Sequence, residues 1–354
     1  MRQIIKKINS LINKTEIIFG CQRLFSRPRH IQIEPTNRCN QSCVMCPRNK
    51  GLDVPIGDMD FETFKKIINK LYTVENLLLN GLGEPMLNND LPKMIAYASS
   101  RGINVSINSN CALVNESLAR ELIESGLSLI KISMDSSDPQ VYQSIRNASI
   151  KPVINGIKTL VKIRKERKSQ KPYFWFNSII MRRNYRKLID ILRLAEELEI
   201  DSVRFKPLDI WGVSQNKEML VEKDDLKKIL KETLSLARNI NINHNLKNIL
   251  DNFDVYYRPK EKIPCYSPWT ELYIQYYGGV RLCCEFYSKD YDIGNILEED
   301  SFGKIWNGPK MRQIRKEFKK GNLCFPVCQN CNRFQRNIII QNKINKLKYF
   351  YKRK

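Results

Sequence analysis

Three cysteines with short spacing, in the segment EPTNRCNQSCVMCPRNK, are the strongest chemical signal in the chain. Cys39, Cys43 and Cys46 lie within eight positions. A structural zinc ion closes its shell with four protein ligands, and no fourth Cys or His follows nearby; His30 lies on the far side of an apolar strand. A disulfide framework needs paired cysteines and a secreted context. Three thiolates on one loop fit a cubane iron–sulfur cluster with one iron left open for another ligand.

A second group of cysteines lies in the C-terminal part of the chain. Two short predicted strands, joined at Gly278–Gly279, lie between Cys265 and the pair Cys283 and Cys284. A pattern typical of an amphipathic helix follows, and the segment CFPVCQNC then supplies Cys324, Cys328 and Cys331. Four thiolates from the hairpin ends and the CxxC pair fit zinc or a second iron–sulfur cluster, and spacing alone leaves both open.

Composition indicates a protein that keeps its thiols reduced. The 354 residues suffice for one large domain and a smaller one. We find neither a signal-peptide pattern nor an apolar run of about 18 residues, the length that suggests a membrane span, and we therefore expect a cytoplasmic location. In that setting eleven cysteines favour metal binding or catalysis over disulfide formation.

Much of the formal net charge of +23 lies at the two ends of the chain. Two interpretations are open: solvated ends, or attraction to an acidic surface such as anionic lipid or a phosphorylated substrate. In the first segment the apolar residues Ile4, Ile5, Ile8, Leu11 and Ile12 have helical spacing, opposite Lys6, Lys7 and Lys14. This pattern predicts an amphipathic helix that lies either on a membrane or on the body of the protein.

The middle of the chain alternates between strand-like and helix-like segments about six times. Apolar or β-branched runs such as HIQIEP, NLLLNGL and LIKISMD are separated by segments with helical periodicity such as DFETFKKIINKLY. This alternation predicts an α/β fold with a parallel sheet, helices outside, curved into a partial (β/α)6 TIM-like barrel. In such folds the active site lies at the carboxyl ends of the strands, and the first cysteine loop directly follows the first strand.

Cys39-x3-Cys43-x2-Cys46 after the first strand of a six-fold β/α repeat resembles the radical S-adenosylmethionine (SAM) superfamily. The resemblance implies a [4Fe–4S] cluster held by these three thiolates, with SAM chelating the fourth iron through its amino and carboxylate groups. One electron from the reduced cluster then cleaves SAM to methionine and a 5′-deoxyadenosyl radical. It also implies a flavodoxin- or ferredoxin-type electron donor as partner. Met45 stands where the family often has an aromatic residue near the adenine.

The same resemblance, which covers about residues 30 to 210, suggests the SAM contacts. NGLGEPMLN is similar to the family's glycine–glutamate–proline motif, which binds the SAM amino group, and KISMDS is similar to the segment that meets SAM hydroxyl and carboxylate groups. The implied cofactor-binding residues are Gly83, Glu84, Pro85, Asn108, Ser133, Asp135 and Arg146, with Arg146 as partner of the SAM carboxylate. The segment INSN places Asn108 and Asn110 near the cofactor more loosely. The family usually has glycine at the position of Cys111, which we interpret as a small buried thiol and not a ligand.

The order C…GG…CC…GNI…IW…CxxC resembles the SPASM and shortened "twitch" extensions of radical SAM enzymes, which carry an auxiliary [4Fe–4S] cluster. The resemblance implies Cys265, Cys283, Cys328 and Cys331 as ligands of one such cluster. Full SPASM domains have more cysteines than this chain. Cys284 and Cys324 are then spare residues or alternates, and Cys21 is unconnected.

We therefore expect five regions along the chain. These are a basic amphipathic N-terminal segment (1–29), a radical SAM core (30–215), a helical linker (216–260), a small α+β SPASM/twitch domain (261–335) and a basic C-terminal tail (336–354).

An auxiliary cluster in this family implies a net two-electron oxidation, because the substrate radical passes a second electron to it. The shortened extension is most similar to that of 2-deoxy-scyllo-inosamine dehydrogenase-type enzymes, which predicts a sugar or cyclitol secondary alcohol as substrate. A peptide maturase forming thioether or carbon–carbon links is the alternative, although the 38 residues before Cys39 leave no room for a leader-binding domain. A basic zinc protein that binds nucleic acid is a remote alternative; no nucleic-acid fold signature is present, and we expect no such partner. On the inner side of strands five and six, Trp175, Asn177, Arg204 and Lys206 either line the pocket or only pack the barrel.

Overall fold

The computed structural model describes residues 2–50, 54–208, 218–254, 265–284, 288–323, 325–331, 337, 340–342 and 344–345. The helices are α1 (Arg2–Phe19), α2 (Phe61–Lys70), α3 (Leu91–Ser100), α4 (Glu116–Glu124), α5 (Pro139–Arg146), α6 (Lys151–Glu166), α7 (Leu188–Glu197), α8 (Lys223–Leu236), α9 (Leu246–Asp251), α10 (Ser267–Thr270), α11 (Phe302–Trp306) and α12 (Pro309–Lys319). The strands are β1 (His30–Ile33), β2 (Asn76–Leu79), β3 (Asn104–Ser109), β4 (Leu129–Ser133), β5 (Tyr173–Ile180), β6 (Ser202–Pro207), β7 (Asn243–His244), β8 (Glu271–Ile274), β9 (Gly279–Arg281) and β10 (Gly294–Asn295).

All of these strands belong to one sheet, in the order β10-β9-β8-β1-β2-β3-β4-β5-β6-β7. The run from β1 to β7 is parallel throughout, with successive strands as neighbours. Helices connect the successive strands from β1 to β6, because parallel neighbours need a crossover connection. The predicted α/β fold with a parallel partial barrel is confirmed.

The C-terminal hairpin extends the same sheet. The strands β8 and β9 pair antiparallel around a turn in which Gly278 has φ +87°, a left-handed conformation that favours glycine. The hairpin predicted at Gly278–Gly279 is therefore present. In addition, β8 runs parallel to β1 and places Ile274 opposite Ile33, so the C-terminal part closes directly onto the first strand of the core.

The two faces of the sheet differ in polarity. Along β1 to β5, every second side chain is buried. All of these except Ser109 and Ser178 are apolar, and the apolar ones share one hydrophobic cluster with the inner residues of the surrounding helices. The intervening side chains face inward and are largely polar. Several of them line a cavity of about 360 Å³, namely His30, Gln32, Asn76, Leu78, Ser106 and Lys131, and Tyr273 of β8 adds to the lining. The barrel therefore has an apolar outer layer under the helices and a polar inner wall.

Within the residues that the structure describes, no helix combines the length and apolar content needed to cross a bilayer.

Candidate functional site

The first cysteine loop lies at the carboxyl edge of the sheet, beside the loops that follow β2 and β3. The last residues of the first two strands, Ile33 and Leu79, are register partners, and Leu79 pairs in turn with Ile107 of β3. The backbone N–H of Glu84 donates to the carbonyl oxygen of Arg38 over 2.7 Å, which ties the glycine–glutamate–proline turn directly to the cysteine loop. His30 lies at the opposite end of β1, away from the thiols.

Gly83 is required by close backbone packing. A Cβ at this position would lie 2.3 Å from the carbonyl oxygen of Thr36 and 2.4 Å from that of Arg38. Both neighbours are main-chain atoms of the cysteine loop, and no side-chain rotation relieves such a contact. Glycine is therefore the residue that lets this turn support the loop.

Glu84 is buried and held by the end of β3. Its carboxylate accepts hydrogen bonds from Ser109 Oγ (2.7 Å), the Asn110 backbone N–H (2.8 Å) and the Met86 backbone N–H (3.2 Å). Burial raises the pKa of Glu84 to about 6, and the hydrogen bonds partly offset that rise. A carboxylate offers about four acceptor positions, so one remains for a ligand's N–H group.

Two predicted SAM contacts, Arg146 and Asp135, form an ion pair with each other. Arg146, the last residue of α5, brings Nη2 to 2.5 Å from Asp135 Oδ2, and both side chains are buried. Its Nη1 atom also lies 3.4 Å from Cys43 Sγ. Burial by itself lowers the pKa of Arg146, but Asp135 and Cys43 more than offset this and the net shift is upward. The pair places a guanidinium beside the thiols, and Arg146 Nε is buried without a hydrogen-bond partner among the described residues.

The remaining predicted SAM contacts line the same edge. Asn108 and Ser133 lie on the inner face, at the ends of β3 and β4, and Asn108 Oδ1 is buried without a hydrogen-bond partner among the described residues. Pro85 begins a buried 3-10 turn (Pro85–Leu87). Cys111 is fully buried at φ +58°, a conformation that favours glycine, which agrees with its interpretation as a buried thiol.

Comparison with known proteins adds the decisive observation. Residues 33–201 match the radical SAM superfamily, and residues 265–332 match the iron–sulfur cluster-binding domain named SPASM. The chain is a radical SAM enzyme with a C-terminal SPASM domain. Its cofactors are SAM and [4Fe–4S] clusters.

Three similar proteins illustrate the range of this group. The radical SAM enzyme is 26% identical over 321 residues to a tungsten-containing aldehyde ferredoxin oxidoreductase cofactor-modifying protein of Pyrococcus furiosus, covering 86% of this chain and 87% of the relative. Its fold resembles that of SuiB of Streptococcus suis bound to the precursor peptide SuiA, with TM-score 0.66, 15% identity and coverage of 90% and 74%. It also resembles BtrN in complex with AdoMet and 2-DOIA, with TM-score 0.50, 18% identity and coverage of 87% and 94%.

The donor set of the first loop fits an iron–sulfur cluster. Burial raises the pKa of the Cys39 and Cys46 thiols, that of Cys46 to about 11, and charge repulsion from Cys43 contributes to both shifts. The three sulfurs are thus near enough to interact, and bound iron would stabilise their thiolate forms. Across the described ranges, no three His, Cys, Asp or Glu side chains gather around one point suited to a single metal ion. Each thiolate of a cubane binds a different iron atom.

Apolar side chains pack around this loop. Met45 and Cys43 are buried in a small cluster with Ile145, Met181 and Leu208. This cluster is separate from the main core, and Cys46 also packs against it. Met45 thus offers an apolar contact at the position where the family often has an aromatic residue.

The structure positions the second group of cysteines separately. Cys265 lies just before α10, where burial raises the pKa of its thiol and hydrogen bonding with Ser267 partly offsets the rise. The inner cavity is lined by both Cys283 and Cys284, which follow β9. Cys328 lies in the 3-10 turn Pro326–Asn330, and its carbonyl oxygen accepts from the Cys331 N–H at 3.5 Å. Cys324 lies outside the described residues. The ligand set of the auxiliary cluster, including the choice between Cys283 and Cys284, stays a prediction.

Sequence reasoning missed a buried polar group between the two domains. The Glu34 carboxylate, at the end of β1, accepts from the Leu82 N–H (2.8 Å) and from the hydroxyl of Tyr273 in β8 (2.9 Å). Burial raises the pKa of Glu34 despite these bonds. Gln275 follows Ile274 of β8, the register partner of Ile33, and so lies beside Glu34. It is fully buried, and its side-chain oxygen and nitrogen have no hydrogen-bond partner in the part of the chain described. An acid directly after the apolar strand HIQI was the available signal.

Proposed function

We propose that this radical SAM enzyme oxidises a secondary alcohol of a sugar-like or cyclitol substrate. The bound cofactors supply a 5′-deoxyadenosyl radical for hydrogen abstraction and an auxiliary cluster as acceptor of the second electron. In balance, the alcohol loses one hydrogen atom to 5′-deoxyadenosine, one proton and one electron, and becomes a ketone. The chain's own part is to hold the alcohol at the carboxyl edge of the sheet and to exclude water.

The polar inner wall of the sheet is the observation that carries this proposal. Both polar side-chain atoms of Gln275, which directly follows β8, are buried and have no hydrogen-bond partner among the described residues. Leaving such atoms unpaired costs about 1–3 kcal/mol each, and a hydroxylated ligand offers both donors and acceptors to offset that cost. An apolar substrate would offer these atoms no hydrogen bond, and the free-energy cost of burying them unpaired would remain.

The inner sides of β5 and β6 are the proposed substrate contacts. Arg204 stacks 5.2 Å from the ring centre of Trp175 and donates to Asn243 Oδ1 over 3.1 Å. Asn177 is the register partner of Arg204, and Lys206 lies two residues further along the same strand. These side chains present amide and cationic donors, which suit hydroxyl oxygens.

We assign the cofactor contacts as the family pattern implies. Cys39, Cys43 and Cys46 hold the SAM-binding cluster, and Cys265, Cys283, Cys328 and Cys331 hold the auxiliary cluster. The SAM contacts are Gly83, Glu84, Pro85, Asn108, Ser133, Asp135 and Arg146. A flavodoxin- or ferredoxin-type protein delivers the electron for SAM cleavage.

A labelled alcohol tests the reaction class. Candidate sugars and cyclitols deuterated at the carbinol carbon are incubated anaerobically with reconstituted enzyme, SAM and reductant, and 5′-deoxyadenosine is analysed by mass spectrometry. We expect deuterium in 5′-deoxyadenosine and an equal amount of ketone. Transfer of label only from a peptide would favour a maturase, and transfer only from a metal cofactor precursor would favour a role like that named for the Pyrococcus relative.

Removal of the auxiliary ligands tests the second electron transfer. Cys328→Ala/Cys331→Ala should retain SAM cleavage but lose ketone formation, and the iron content should fall from about eight to about four atoms per chain. The matched control is Cys21→Ala, which should keep both activities. Zinc in the C-terminal site, with about four irons in the wild-type chain, would contradict the oxidation proposal.

A further inference from the structure

Helix α1 attaches to the protein by its polar face and leaves its apolar face outward. A surface helix of a globular protein ordinarily does the reverse, with the apolar side chains packed on the core. Here the buried residues of α1 include Asn9, Asn13 and Glu16, whereas Ile4 and Leu11 are 62% and 67% exposed. The orientation is therefore opposite to that expected from burial of apolar surface.

Specific hydrogen bonds hold this inverted orientation. Asn9 exchanges two bonds with the Arg27 backbone, at 3.0 and 2.8 Å, and Asn13 Nδ2 donates to the Trp269 carbonyl oxygen over 2.6 Å. Glu16 Oε1 accepts from the Phe25 N–H at 2.5 Å, and its other oxygen accepts from the Ser26 hydroxyl. The spacing of these three side chains by four and three residues puts them on one side of the helix. Near the end of the helix Ile17 also packs against the core, so these polar anchors and one apolar contact together determine which face meets the protein.

The outward face carries an apolar stripe, with the exposed Thr15 between Leu11 and Phe19. Ile4, Ile8, Leu11 and Phe19 are all exposed and recur at helical spacing on the side opposite the anchors. Phe25, whose N–H is bonded to Glu16, adds an aromatic ring that is 90% exposed beside the helix. With 18 residues the helix is about 27 Å long, enough to lie along a surface.

The lysines beside the apolar stripe favour binding to an anionic surface. Lys7 and Lys14 are exposed and flank the apolar residues. The helix contains one acid, Glu16, which is buried on the opposite side. The exposed face therefore carries apolar side chains and lysines but no acid. Such a face complements the acidic headgroups and the hydrocarbon beneath them in an anionic bilayer.

We propose that α1, with Phe25, binds the surface of an anionic phospholipid bilayer, lying in the headgroup plane and not crossing it. Ile4, Ile8, Leu11 and Phe19 enter the acyl boundary, and Lys7 and Lys14 reach the headgroup phosphates. The polar anchors keep the body of the enzyme fixed to the helix while it does so.

Vesicle co-sedimentation of the full chain tests this. Wild-type protein is mixed with vesicles of phosphatidylglycerol and phosphatidylcholine, or of phosphatidylcholine alone, at low and high salt. We expect binding to the anionic vesicles that weakens with salt. The variant Ile8→Gln/Leu11→Gln should lower the partition coefficient at least about tenfold. Lys7→Gln/Lys14→Gln should lower it about 30-fold, on anionic vesicles only.

The matched control is Ile56→Gln/Leu236→Gln, which removes an isoleucine and a leucine of comparable exposure elsewhere on the surface. It should bind vesicles like the wild type. All variants should keep the wild-type thermal midpoint and SAM cleavage rate, because the changed side chains are exposed and outside the cofactor site.

Three results would overturn the proposal: no binding of the wild type to anionic vesicles, equal binding to both vesicle types, or unchanged binding by the α1 variants. A concentration-dependent dimer that Ile8→Gln/Leu11→Gln abolishes, without vesicle binding by the wild type, would assign the stripe to a second copy of the chain instead.

Discussion

Substitution of Gly83 by alanine probes how tightly the glycine–glutamate–proline turn supports the cysteine loop. The new Cβ would lie 2.3 Å from the Thr36 carbonyl oxygen and 2.4 Å from that of Arg38. Carbon and oxygen atoms that are not bonded approach to about 3.3 Å, so the two backbones must separate by roughly 1 Å. That movement also breaks the 2.7 Å bond from the Glu84 N–H to Arg38.

The cost follows from these two contacts. Overpacking of this kind costs about 1–3 kcal/mol, and loss of the hydrogen bond adds about 0.5–1.5 kcal/mol. Because the displaced backbone carries Cys39, a shift of about 1 Å should also lower the rate of SAM cleavage by about 100-fold. We expect both losses in Gly83→Ala.

The measurements are the free energy of unfolding of the metal-free chain in urea, the iron content after anaerobic reconstitution and the rate of 5′-deoxyadenosine formation. Gly303→Ala in α11 is the matched control, since its Cβ would meet only Ser301 Oγ, at 3.3 Å. It should be neutral or stabilising by about 0.4–1 kcal/mol. If Gly83→Ala unfolds, binds iron and cleaves SAM like the wild type, the close-packing explanation is wrong.

Three further predictions concern buried polar groups. Arg146→Ala should lower the free energy of unfolding by about 3–5 kcal/mol, because it leaves the buried Asp135 carboxylate without its cationic partner. Adding Asp135→Asn should recover part of this loss. Equal stability of the single and double variants in urea would contradict the prediction. Tyr273→Phe should lower the free energy of unfolding by about 1.5–3 kcal/mol, since it removes a hydroxyl donor to the Glu34 carboxylate. A much smaller change in urea unfolding would mean that this hydrogen bond contributes little to stability. The raised pKa of Glu34 means that the folded chain keeps a proton that the unfolded chain loses, so stability falls as pH rises above the ordinary value of 4.5. Glu34→Gln should remove that part of the decline, as measured by urea unfolding between pH 5 and 8; identical pH profiles for both proteins would refute the assignment.

Local spacing in the sequence was sufficient to predict the main architecture. The three-cysteine loop after β1, the strand–helix alternation and the hairpin at Gly278–Gly279 depend on residues close together in the chain. Hydrophobic periodicity and turn residues depend on positions close together in the sequence. These features can therefore be predicted without a structure. The same holds for Cys111, whose left-handed backbone explains why the position suits glycine.

The tertiary structure decided which distant groups meet. Glu34 and Tyr273 are 239 positions apart, and Asn13 and Trp269 are 256 apart. Both contacts exist because β8 joins the sheet beside β1, and no local pattern encodes that pairing. The ion pair between Arg146 and Asp135 likewise depends on how α5 packs over the strand ends.

Helix α1 illustrates the difference most directly. Its sequence predicts an amphipathic helix, but the apolar stripe alone is compatible with packing on the protein or on a membrane. The outcome depends on partners for Asn9, Asn13 and Glu16, which come from residues 25–27 and from α10. Hydrogen-bonding groups that meet only in the folded chain therefore contribute to which face of the helix is outward. Sequence periodicity specifies an apolar face but not the surface that this face contacts, so it cannot predict the orientation.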